Sequence, residues 1–166
     1  MQRRLGFAIR FLLLLVAFYV LAALNAVNDA AVVPLTSAIT RVAGVTIQLF
    51  DPNARVSGTT ISSGAFAIDV KNGCNAIETM MLFAAAVIAF PAPLRGKILA
   101  LAVGVPLIQL LNVVRLVTLF WLGVSHRRFF DLFHVAVWQA VMILIGVAIF
   151  AAWSSQVGTR RAADAR

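Results

Sequence analysis

Groups able to do chemistry are scarce in this chain. Its 166 residues include one cysteine, two histidines and six acidic side chains, and 12% of positions are charged. A lone cysteine, Cys74, excludes a disulfide within the chain. No phosphate-cradling P-loop, no Gly-rich dinucleotide fingerprint and no cluster with metal-ligand spacing occurs, so neither a cofactor nor a metal is expected. The net charge is +8, but the basic residues gather at the ends of apolar runs. That placement reads as membrane topology and needs no nucleic acid.

Apolar residues are abundant instead, at 62%. Residues 5–24 and 98–122 carry one charge each, Arg10 and Arg115, and residues 135–153 carry none. A bilayer core of about 30 Å needs roughly 20 apolar residues per helix. The run 77–90 is short and reaches spanning length only when residues 74–94 are counted. The expectation is one integral-membrane domain, all-α, with four transmembrane helices near 5–25, 74–94, 97–122 and 135–153. The first run is also compatible with a secretory signal peptide, but its apolar core exceeds the usual ~7–15 residues, which favours an uncleaved helix.

Loop charge sets the orientation. Arg3, Arg4, Arg10, Arg95, Lys97, Arg160, Arg161 and Arg166 fall on one side against a single acid, Asp164. The opposite side mixes Arg41, Arg55, Lys71, Arg127 and Arg128 with Asp29, Asp51, Asp69 and Asp131. Both termini are therefore expected in the cytoplasm, with residues 154–166 as a frayed basic tail. Residues 26–73 lie outside. Within them, 34–50 reads as an amphipathic helix with Leu35, Ile39, Val42, Val45 and Leu49 on one face, lying on the outer membrane surface or packed on the bundle. Phe66, Ile68 and Val70 alternate with Ala67, Asp69 and Lys71 after the Ser62-Ser63-Gly64 turn, a short β-hairpin.

This topology brings three scattered residues to one depth. Cys74 begins the second helix on the outer side. Arg115 lies 17 residues after Ile98, roughly 26 Å up the third helix at about 1.5 Å per residue. His134 stands where the fourth helix starts. A thiol, a permanent cation and an imidazole are the parts of a cysteine acyl-transfer site. Each residue also has a plainer role: Cys74 as a small hydrophobe, Arg115 snorkelling to the interface, His134 as an interfacial anchor. Against those readings, an arginine at mid-membrane costs at least about 2.5–3.5 kcal/mol, and Asn112 and Thr118 extend it into a polar stripe. A helix N-terminus favours a thiolate. Supporting candidates are Asn75 beside the cysteine, Asn112, Asp131 as an orienter of His134, and Glu78, either a counter-ion for Arg115 or a structural clamp. His126, beside Arg127 and Arg128, is the competing histidine.

The blocks "NGCNAIETMMLFAAAVIAFPAPLRGK", "LLNVVRLVTLFWLG" and "FDLFHVAVWQA" resemble, in order and spacing, the exosortase/archaeosortase family of membrane cysteine transpeptidases, most like the short exosortase H type. The resemblance implies Cys74 as nucleophile, with Arg115 and His134 as the family's arginine and histidine. The family often places glycine two residues after the cysteine; here that residue is Ala76. The resemblance further implies partners: exported proteins ending in a short motif, a transmembrane helix and a basic end, the motif being of the Ile-Pro-Thr-Leu rather than the Pro-Glu-Pro kind. The expected function is cleavage of such sorting signals at the periplasmic face of the inner (plasma) membrane, with transfer through a thioester to an outside acceptor, a lipid or glycan amine or hydroxyl. The alternatives are a non-catalytic membrane assembly factor that binds a partner helix, and thiol acyl transfer onto lipidated proteins.

Overall fold

The structure is a computed structural model; it describes the backbone of residues 2–64 and 66–164, with side chains for 5–64 and 66–157. Five helices and a small sheet follow in chain order: α1 (Gln2–Ala23), α2 (Asn25–Gln48), β1 (Arg55–Ser57), β2 (Thr60–Ser63), β3 (Phe66–Asp69), α3 (Ile77–Ala89), α4 (Leu94–Ser125) and α5 (residues 127–164). Arg166 lies outside the described residues, as do the side chains of Arg3, Arg4, Arg160 and Arg161.

Four helices are long and apolar enough to cross a membrane, but they are not the expected four: α1, α2, α4 and α5 qualify. The helix expected over 74–94 is the 13-residue α3, about 20 Å long at 1.5 Å per residue. Local backbone chemistry cuts it at both ends. Ala76 takes a left-handed conformation (φ 58°) and cannot continue a helix. Phe90 precedes Pro91 and is extended (φ −67°, ψ 137°), as the proline ring demands of its predecessor.

The segment expected as an amphipathic helix over 34–50 begins earlier, at Asn25, and runs through Pro34. Proline removes one backbone hydrogen bond, and a π-helical stretch over Asn28–Val32 just before it absorbs the irregularity. The face it packs on the bundle is not the apolar face read from the sequence, most of which is left outward. Thr36, Ile39, Thr40, Ala43, Gly44 and Ile47 are buried, while Val42 and Val45 are more than half exposed and Leu49 is 77% exposed. Small residues win because α2 meets its neighbours closely: a Cβ on Gly44 would collide with Val56. The two buried threonines satisfy their hydroxyls by donating back to Val32 O (2.7 Å) and Thr36 O (2.8 Å).

The hairpin is a three-stranded antiparallel sheet of order β1-β2-β3, with Val56 opposite Ile61 and Ile61 opposite Ile68. The expected alternation holds: Phe66, Ile68 and Val70 are buried while Ala67, Asp69 and Lys71 face out. So small a sheet is marginal alone. It rests on α2 and on the second half of α4, sharing one apolar core with Ile39, Ala43, Ile47, Leu116, Leu119 and Phe120. Phe66 lies edge-on to Phe120 and against Gly123, where any Cβ would strike its ring.

A second core joins α3, α4 and α5 through Phe83, Val87, Ala100, Ile108 and Met142. At the far end of the bundle Phe7, Phe90, Phe150 and Trp153 form an aromatic cluster with centroids 5.5–6.2 Å apart. α1 packs on α3, yet Leu5, Leu12, Leu13, Val16 and Val20 are about half exposed or more. An apolar outer surface of this extent fits lipid, not water. α5 begins at residue 127 rather than 135, after a one-residue break at His126 (φ −139°). It continues to residue 164, so the expected frayed tail is helical over the described residues.

Candidate functional site

Cys74 sits in a turn outside every helix, two residues before the left-handed Ala76 that caps α3. It is not on the first helical turn, as the sequence suggested. The Cys74 amide donates to Lys71 O (2.9 Å), and Gly73 takes φ 91°, a conformation glycine enters without Cβ strain. Asn75, fully buried, holds the turn from inside. Its Oδ1 accepts from the Ile77 amide (3.2 Å), and its Nδ2 donates to Thr36 Oγ1 (3.0 Å) on α2 and to Asn72 Oδ1 (3.2 Å). From α4, Gln109 Nε2 donates to Asn75 O (3.0 Å). The short helix α3, the sheet, α2 and α4 thus all fix the loop that carries the thiol.

His134 belongs to a π-helical turn, Leu132–Val137, eight residues into α5. The widened turn re-aims side chains that a regular helix would carry past the site. Nε2 of His134 is in hydrogen-bond contact with Cys74 Sγ, and the Phe130 ring stacks on the imidazole at 5.4 Å. Arg115 is 1% exposed. Its Nη2 lies 4.0 Å from Cys74 Sγ and 3.5 Å from His134 O. The three residues separated by 41 and 19 positions therefore meet at one point.

The supporting candidates divide. Asn75 and Asn112 are fully buried beside the site. Thr118 is exposed, its hydroxyl turned back to Arg115 O (2.9 Å). Glu78 makes no ion pair with Arg115 within 4.0 Å; among the described residues the only salt bridge is Lys71–Asp69 at 3.4 Å. Glu78 instead lines a small cleft with Tyr19, Asn72 and Met81. Asp131 is exposed and makes no hydrogen bond to His134 among the described residues. His126 is exposed at the α4–α5 junction; His134, not His126, reaches the cysteine.

Sequence reasoning missed Gln109 and Thr36. Gln109 was within reach of it: the stripe 112–115–118 extends one turn back to 109. Thr36 carried no signal, since its role depends on α2 folding against the Asn75 turn.

Burial pushes the Cys74 thiol above its ordinary pKa; the Arg115 charge pulls it back, and Glu78 pushes it up. The resting thiol is thus held neutral, 4% exposed, with an imidazole against it. Because no carboxylate is paired with Arg115 among the described residues, its charge stays available to an anion formed at the sulfur.

Fold and site together define a polytopic membrane protein with a thiol–imidazole–guanidinium cluster at one end of its helices. The chain belongs to the transmembrane exosortase family, whose family model matches residues 1–156. Members of that family are in general cysteine transpeptidases. No match was found among curated proteins or among solved structures.

Proposed function

We propose that the chain is a membrane-embedded cysteine transpeptidase that cleaves C-terminal sorting signals of exported proteins at the outer face of the membrane. The observation that carries this reading is the meeting of Cys74 Sγ with His134 Nε2 and Arg115 Nη2. His134 takes the thiol proton as sulfur bonds to the scissile carbonyl carbon. Arg115 stabilises the oxyanion, as a fixed donor does in a water-poor site. The C–N bond then breaks, and His134 returns the proton to the leaving amine. The substrate's remainder is left as a thioester on Cys74. An amine or hydroxyl of a lipid or glycan attacks that thioester, His134 accepts its proton, and the thiol is regenerated.

Two features support a substrate that arrives within the bilayer. An apolar cavity of about 340 Å³ opens between α1, α2, α3 and α4, lined by Phe18, Leu21, Ala31, Ile77, Met80 and Val105. It borders the turn that holds the nucleophile, since Ile77 and Met80 are also neighbours of Asn75 and Gln109. The basic residues at the opposite loops support the outward orientation of the site. The test is a trapped intermediate. Acid-quenched membranes should yield a hydroxylamine-labile peptidyl adduct on Cys74 that is lost in Cys74→Ala. Signal cleavage that persists in Cys74→Ala refutes the reading.

A further inference from the structure

Two side-chain atoms at the site are buried with no hydrogen-bond partner: Asn112 Oδ1 and Arg115 Nε. An acceptor and a donor left unpaired, one turn apart on α4, each carry an uncompensated desolvation cost. Water or a bound group is the ordinary remedy. Other polar atoms of both residues have partners. Arg115 Nη2 faces Cys74 Sγ and His134 O. Asn112 Nδ2 donates to Gln109 Oε1 (3.5 Å).

The orientation of the Asn112 amide follows from this chain and not from choice. Gln109 must direct its Nε2 at Asn75 O, because a carbonyl accepts and cannot donate. Its Oε1 therefore faces Asn112, which must answer with Nδ2. The free atom of Asn112 is then its oxygen, on the helix turn before Arg115. The unpaired acceptor of Asn112 is what a substrate N–H would require.

We infer that Asn112 Oδ1 binds the peptide N–H next to the scissile carbonyl. Asn112 accepts the N–H of the residue that acylates Cys74. This rests on the thioester reading above and adds a substrate-positioning role for Asn112. Leu132 and Val135, on the π-helical turn that carries His134, are 56% and 67% exposed.

The test uses the full chain in detergent and needs no natural substrate, because Cys74 is the only thiol. N-ethyl iodoacetamide and ethyl iodoacetate differ by one N–H. In the alkylated amide the nitrogen stands two carbons from sulfur, as the acyl residue's own nitrogen does in a thioester. Both probes need the same opening of the site, so the ratio of their rates cancels it. The wild-type ratio, divided by that of N-acetylcysteine, should be about fivefold to tenfold in favour of the amide, the worth of one hydrogen bond. Asn112→Leu should return it to one, and Asn112→Asp, which keeps the acceptor, should retain it. A normalised wild-type ratio of one overturns the proposal without any variant, as does a preference that survives Asn112→Leu. Failure of the enzyme reading looks different: no hydroxylamine-labile adduct would form on Cys74, whatever the ratio of the two probes.

Discussion

Cys74 Sγ and His134 Nε2 are in hydrogen-bond contact although sixty positions separate them. The contact is made by backbone irregularities on both sides: a left-handed Ala76 that ends α3 early and a π-helical turn that widens α5. With the thiol neutral at rest, the imidazole serves as its base. His134→Ala is expected to slow thioester formation by about 10²–10⁴-fold, the usual worth of a general base. Single-turnover trapping of the adduct measures it.

Arg115 and Glu78 act on the thiol in opposite directions, and the pH dependence of alkylation separates them. Burial raises the Cys74 pKa, so alkylation by iodoacetamide should rise with pH to a midpoint above that of an ordinary cysteine. Arg115→Met removes the charge that favours the thiolate and should move the midpoint further up. Glu78→Gln removes a charge that opposes it and should move the midpoint down. A downward movement in Arg115→Met would contradict the placement of the guanidinium at the sulfur.

Ala76 pays a conformational penalty that glycine avoids. At φ 58° a Cβ is strained, while the side chain itself is small and buried. Ala76→Gly should leave thermal stability in detergent unchanged or raise it by up to about 1 kcal/mol. Ala76→Val, branched at Cβ and in the same conformation, should lower it by roughly 1–3 kcal/mol. Equal stability of the two variants would mean the turn is not left-handed.

Gln109 links α4 to the nucleophile turn. Gln109→Leu leaves Asn75 O and Asn112 Nδ2 without their partner, at about 1–3 kcal/mol for a buried group. Circular dichroism melts should show that loss, together with faster alkylation of Cys74 as the loosened turn exposes the buried thiol. Gln109→Glu, which keeps the shape but has no donor for Asn75 O, should not restore it.

Much of this arrangement was legible because membrane sequences advertise their constraints. The apolar lengths of α1, α4 and α5, the alternation of Phe66, Ile68 and Val70, and the lone buried charge of Arg115 all follow from solvent chemistry. The depth of Arg115 along its helix was enough to align it with Cys74. What could not be read were the effects of contacts between elements. Pattern put Val42 and Val45 on the apolar face of α2 but could not say what that face meets; close approach to Val56 packs Gly44 and the threonines inward instead. Helix length misled for α3, where Pro91 and Ala76 outweigh the apolar run. Glu78 looked like the partner of Arg115 from helical spacing, yet Cys74 precedes the helix, so that spacing did not apply.

The central claim is that Cys74 breaks a peptide bond. The most direct measurement is mass spectrometry of the C termini of exported proteins that end in a transmembrane helix and a basic tail, in membranes from cells carrying wild-type or Cys74→Ala chains at matched levels. The account predicts that these proteins lose their terminal helix in the wild type and keep it in Cys74→Ala. Identical C termini in the two strains, with both chains inserted in the membrane, would contradict it.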